Sequence, residues 1–194
     1  MRLDSTGTDH PASPAGITSA PADAPFVVLD SNIWVDLLVF RDPHVEPIRR
    51  ALEAGAIAPV IRADCREELR RVLAYPQFAR FEVDIDAALA TVDRLTRLEP
   101  APPQDEADAI RLPRCKDTDD QKFVELAHFA GAACLVSKDK AVLKLRSRLR
   151  RSSGVEVLTP PGFGAWLAAR ADSTVDTTAD TTADTTADTA ADPL

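Results

Sequence analysis

The sequence predicts a single α/β domain: a central, mostly parallel sheet of about four to five strands flanked by helices. Three observations carry this. Short runs of apolar, largely β-branched residues, such as Phe26-Val27-Val28-Leu29, read as strands buried on both faces. Segments with helical periodicity lie between them, so strands and helices alternate as parallel connections require. The 194-residue chain is 45% hydrophobic, enough for one sizeable core with tails to spare.

In chain order, the strand at 26–29 runs into Asp30-Ser31-Asn32 and a helix over about 31–39, with Trp34, Leu37 and Leu38 at core spacing. Asp42-Pro43 breaks the chain, and a second helix over about 44–54 stops at Gly55. Residues 58–61 form a short strand. A strong helix over about 64–74 ends at Tyr75-Pro76. Residues 84–98 form an amphipathic helix with Ile85, Leu89, Val92 and Leu95 on one face. Four prolines (100, 102, 103 and 113) mark 99–114 as an exposed loop. A helix opens at Asp117-Thr118-Asp119-Asp120 and closes at Ala130-Gly131. Residues 133–137 are a strand, and Asp139 follows it as Asp30 follows the first. A basic helix over about 140–150, a strand at 155–158 and a closing helix from Pro160, with Phe163, Trp166 and Leu167, complete the domain of residues 25–171.

Both ends differ from this centre. Residues 1–24 are rich in Pro, Ala, Ser, Thr and Asp, and nothing there offsets the entropy of ordering, so disorder is expected. Residues 172–194 repeat Thr-Thr-Ala-Asp, with an Asp at every fourth position from 172 to 192 and no base. On a helix those charges would stack and repel, so this tail is also expected to be disordered. The two tails carry the whole net charge of −8 and residues 25–171 are neutral, so the low isoelectric point says little about partners. No stretch approaches the roughly 20 apolar residues of a membrane span, and the N-terminus lacks an apolar signal region. Cys65, Cys115 and Cys134 have no C-x-x-C spacing and read as reduced thiols in a cytoplasmic protein.

Asp30 and Asp139 both follow buried strands and so belong to one edge of the sheet, where open α/β proteins bind ligands. The plainer alternative for Asp30 is a helix N-cap. Helical phase supplies two more acids. In the helix over 64–74, Cys65, Leu69, Val72 and Leu73 define the buried stripe; Glu68 lies roughly 70° from its centre, while Glu67 points nearly opposite. In the helix after Asp117, Phe123, Leu126, Ala127 and Ala130 face the core. Asp119 and Asp120 lie roughly 50° to either side, which leaves both open. Asp117 fits an N-cap, and acids in a first turn also suit the helix dipole. Four inward carboxylates without a neutralising base would repel and desolvate badly, which implies a hard cation. All-oxygen ligation suits Mg²⁺ or Mn²⁺, and such an ion with open water positions is the usual apparatus for cleaving phosphodiesters.

Around Asp139 lie Lys138, Lys140, Lys144, Arg146, Arg148, Arg150 and Arg151, either a surface for an RNA backbone or a solvated helix face. Tyr75, Phe78 and Phe81 are the nearest candidates for stacking bases. His10, His44 and His128 are isolated, which suggests no zinc pattern and no His-based triad. Gly162-Phe163-Gly164 lacks the third glycine of a nucleotide fingerprint.

In this order and spacing, VVLDSNIWVDLL, CREELRRVLAYPQF, CKDTDDQKFVELA, CLVSKDKAVL and VEVLTPPGF resemble PIN-domain proteins, the ribonuclease fold of many VapC-type bacterial toxins. The likeness is greatest to PIN-family toxin components of toxin–antitoxin systems and spans about residues 26–166. It implies a PIN-like fold, a Mg²⁺- or Mn²⁺-dependent endoribonuclease acting on RNA, and a cognate antitoxin as partner, with a homodimer as an option. By position, Asp30, Glu68, Asp120 and Asp139 match the family's catalytic, metal-holding acids, and Asn32 matches the polar residue assisting them. Ser31 stands where Thr is common, Gln121 where a third consecutive acid often stands, and Ser137-Lys138 where Gly usually precedes the last acid. Water would attack phosphorus in line while the cation stabilises the charge. Two rivals remain. A phosphatase is disfavoured because Asn32 stands where a second acid is wanted; the other is a catalytically silent PIN-like module binding RNA or protein.

Overall fold

The computed structural model describes residues 21, 23–103, 105, 106 and 110–176. The disorder expected of the two tails concerns residues that lie mostly outside this set.

Among the described residues five strands form one sheet in which every pairing is parallel: β1 (Phe26–Leu29), β2 (Ala58–Arg62), β3 (Arg97–Glu99), β4 (Cys134–Val136) and β5 (Glu156–Leu158), in the order β3-β2-β1-β4-β5. β1 is central. Val28 pairs with Val60 on one side and Leu135 on the other, and Val27 and Val28 are wholly buried. Helices cover both faces, which is why the inner strands read as unbroken apolar runs. These helices are α1 (Ser31–Val35), α2 (Glu46–Glu53), α3 (Ala63–Leu73), α4 (Ile85–Leu95), α5 (Gln121–Phe129), α6 (Lys140–Leu143), α7 (Arg146–Ser153) and α8 (Pro160–Asp176). They bury the faces their periodicity marks: Cys65, Leu69 and Leu73 on α3, Leu89 and Val92 on α4, Phe123, Leu126 and Ala127 on α5. All three cysteines are free and buried, and burial pushes their thiols above the ordinary range, as reduced, inert groups require. No helix among the described residues is long and apolar enough to cross a membrane.

Several expected helices end or break early. The one over 84–98 stops at Leu95: Thr96 is extended, and its hydroxyl and backbone N–H each donate to Val92 O at 2.9 Å. Residues 97–99 then pair with β2 as the edge strand β3, with Leu98 64% exposed. Leu98 follows Leu95 by three, which mimics helical spacing, whereas Pro100 disfavours helix at Glu99. The helix expected over 31–39 becomes α1 followed by a π-helical turn, Asp36–Phe40, closed by Arg41 in the left-handed region (φ 48°). The helix expected over 44–54 opens with a 3₁₀ turn, Pro43–Val45. The basic helix divides after Leu143 into α6 and α7. The closing helix α8 runs to Asp176, past the expected domain boundary at 171.

Strand order reverses at β1, with β2 and β3 to one side and β4 and β5 to the other. The carboxyl ends of β1 and β4 therefore flank the topological switch point, the usual crevice of an open parallel sheet.

Candidate active site

Asp30 directly follows β1 and is 2% exposed. Its Oδ1 accepts from the Asn32 N–H at 3.4 Å, capping α1, and its Oδ2 accepts from Ser137 Oγ at 2.6 Å. Capping and a place at the sheet edge are thus not alternatives, because each oxygen serves one. Ser137, fully buried beyond β4, also accepts the Asp139 N–H at 2.9 Å. With its lone pairs turned to that N–H, its single proton goes to Asp30. One hydroxyl so ties together the segments carrying Asp30 and Asp139. Half-buried Asp139 caps α6, its Oδ1 accepting from Ala141 N–H at 2.5 Å and Val142 N–H at 3.4 Å. Burial pushes the Asp30 carboxyl upward, the Ser137 hydroxyl and Asn32 amide draw it back, and the charges of Glu68 and Asp139 raise it further.

Glu68 lies half-buried on α3, as its helical phase requires. Ser31 Oγ donates to its Oε1 at 2.8 Å, and the Lys122 ammonium, from α5, pairs with its Oε2. Glu67 instead faces outward onto Arg70 and Arg71.

Asp120 occupies the N-cap position of α5 yet makes no capping hydrogen bond. The N-cap expected at Asp117 is corrected: its Oδ1 accepts the Asp119 N–H at 3.0 Å, forming a turn ahead of the helix. Asp117 and Asp119 are exposed, whereas Asp120 is half-buried. Burial and then the charges of Asp30, Asp139, Asp117 and Glu68 push the Asp120 carboxyl up to about 7. Of the two acids that periodicity leaves open, Asp120 is the one immersed in the field of the others.

The four acids lie along one edge within reach of one another's charge, and their donor chemistry, carboxylate oxygen throughout, fits a hard divalent cation. The crowding of like charge felt at Asp120 fits one too. Among the described residues, however, no group of three or more His, Cys, Asp or Glu side chains is drawn together closely enough to hold an ion as it stands. The set fits in kind without being an assembled cage, and both Glu68 oxygens are engaged.

Asn32 is exposed, and only its backbone N–H meets Asp30 among the described hydrogen bonds. Of the bases considered for RNA, Lys140 and Lys144 are exposed. Lys138 is committed to Asp36 and Asp42, and Arg146 Nε donates to Val157 O at 2.9 Å. Phe78 and Phe81 pack edge-on against Phe40, which makes them local packing partners before anything else. A cleft of about 1470 Å³ opens over the ends of β2 and β3, lined by Arg62, Glu99, Arg114 and Gln121 among others, but by none of the four acids. Sequence reasoning missed Ser137 as the link between Asp30 and Asp139, and Lys122 as the partner of Glu68. The available signal for Lys122 was a cation in the first turn of a helix, where the dipole disfavours it; for Ser137 there was none.

The family described as PIN domain matches residues 26–141, from the first residue of β1 to just beyond Asp139. Among solved structures, the crystal structure of PAE2754 from Pyrobaculum aerophilum is similar at 18% identity, covering 77% of this chain and 99% of that one, with a TM-score of 0.49. No curated protein matches the chain.

Proposed function

The chain belongs to the PIN-domain family, whose members are generally nucleases, and from that premise we propose that it is a metal-dependent endoribonuclease and the toxin of a toxin–antitoxin pair. The observation that carries the reading is the convergence at the switch point: Asp30 and Asp139 joined through Ser137, with Asp120 pushed up to about 7 by burial and then by their charges. PIN nucleases typically use divalent metals, and here Asp30, Glu68, Asp120 and Asp139 would hold Mg²⁺ or Mn²⁺. Such an ion, when bound, supplies an activated water and offsets the charge that builds on the phosphate. The chain's own groups do the positioning. Ser137 and the N–H groups at the starts of α1 and α6 fix one oxygen or both of Asp30 and Asp139, leaving the remaining lone pairs for the cation. Asn32, exposed beside Asp30, is placed to orient a water or the RNA. Lys140 and Lys144 are exposed bases close after Asp139 in the chain, without an ion-pair partner among the described residues, and they suit the RNA backbone.

Purified protein should cut single-stranded RNA with Mg²⁺ or Mn²⁺ and stop in chelator. Asp30→Asn and Asp120→Asn should each lower the rate by ~100-fold or more, while Asp119→Asn stays near wild type. Cleavage that survives chelator or Asp30→Asn defeats the metal mechanism. The toxin role predicts that expression arrests growth and that the product of a small adjoining reading frame relieves it; unrelieved arrest, or none, removes that role. The absence of an assembled cage among the described residues favours one rival, a silent module, which would bind RNA and leave it whole.

A further inference from the structure

Lys122 stands in the first turn of α5, at the helix end whose dipole disfavours a cation. Its side chain is 21% exposed, so water gives it little in return. What holds it there is Glu68: the ammonium crosses from α5 to α3 onto Oε2, while the Ser31 hydroxyl takes Oε1. Among the described residues, Asp30, Asp120 and Asp139 have no basic partner, so Glu68 is the one member of the quartet whose charge is already neutralised. The quartet is also unassembled as a cage. A residue that breaks a local rule at a site of excess opposite charge has its explanation in that site.

We propose that Lys122 is an internal counter-cation for Glu68 that a divalent ion displaces. Ammonium and ion compete for Oε2, so this lysine sets the cation concentration at which the site assembles. Without an ion the pair relieves repulsion along the acidic edge; with one, the ammonium leaves Oε2 on its flexible four-carbon stem. The proposal rests on the metal-dependent reading above and concerns a positioning residue.

The test is Mn²⁺ binding to the full-length protein without RNA, followed by the electron paramagnetic resonance of free Mn²⁺. Lys122→Met keeps the stem and removes the charge; it should lower the Kd by about fivefold to tenfold. Lys122→Arg restores the pair and should return the Kd towards wild type. In a Glu68→Gln background, Lys122→Met should change nothing, because the competition has no object. An unchanged or higher Kd in Lys122→Met overturns the proposal, and so does equal tightening in both backgrounds, which is long-range electrostatics. Mn²⁺ binding and RNA cleavage by wild type with an unmoved Kd in Lys122→Met defeats the exchange alone. The expected Kd pattern without RNA cleavage defeats the nuclease reading alone. A wild-type protein that binds no Mn²⁺ defeats both.

Discussion

Asp120 is an acid in a capping position that does not cap, and its titration makes the cost measurable. Its carboxyl has a pKa of about 4 in an unfolded chain and about 7 here. The folded state therefore holds the proton more tightly, and ionisation costs stability. That penalty is absent below about pH 4 and complete above about pH 7. Without divalent cations, the Tm of wild type should fall from pH 5 to pH 8 more steeply than that of Asp120→Asn. At pH 8 the variant should be the more stable by roughly 2–4 °C, although inactive. Parallel pH profiles would mean that Asp120 does not feel Asp30 and Asp139. At this scale the sequence was half legible. Strand ends placed Asp30 and Asp139, and helical phase separated Glu68 from Glu67. Asp119 and Asp120 stayed level because each lay at the margin of the apolar stripe, and only burial and charge part them. Ser137 was invisible, since its partner Asp30 lies 107 residues away.

Among the elements, the π-helical turn at Asp36–Phe40 shows what periodicity misses. Trp34, Leu37 and Leu38 suit one continuous helix, yet the backbone widens at Asp36, as a π turn does, and Arg41 reverses it. The turn buries Asp36 to 7% exposure, and its Oδ2 has no hydrogen bond of ordinary geometry. Lys138 lies against that oxygen as an ion pair and also reaches Asp42 Oδ2 at 3.0 Å, pinning the turn to the segment that carries Asp139. The same two carboxylates hold the lysine above its ordinary pKa against partial burial, which works the other way. Lys138→Met strands a buried carboxylate and should cost about 1–3 kcal/mol, read as a drop in Tm. RNA binding by an otherwise identical Asp30→Asn protein should hardly change, whereas Lys140→Ala with Lys144→Ala should weaken it several-fold. Lost RNA affinity at unchanged Tm would return Lys138 to the RNA surface. The edge strand β3 escaped notice for a related reason: Leu98 kept helical step with Leu95, and only the β2 edge makes an extended path better.

For the molecule as a whole, the α/β alternation and the parallel sheet could be read directly, because burial on both faces leaves strands as plain apolar runs. The position of each strand could not, because pairings such as Val27 with Cys134 join distant parts of the chain. Among the described residues, the buried hydrophobic ones all fall between Val27 and Phe163, and the four acids lie inside that interval. A chain trimmed to residues 21–176 should therefore keep its Tm within about 2 °C and retain RNA cleavage. A larger loss would show that the removed ends belong to the folded unit.

The insertion of β4 against the open flank of β1 has a consequence for biosynthesis. β1, β2 and β3 can pair as soon as they leave the ribosome, but they bring only Asp30 and Glu68 to the edge. Asp120 and Asp139 arrive afterwards, and Asp139 is joined to Asp30 through Ser137 only when β4 has docked. A growing polypeptide thus has at most half of the acidic quartet for most of its synthesis. The ribonuclease proposed above would therefore be harmless to the message being translated until its own chain has grown past residue 139.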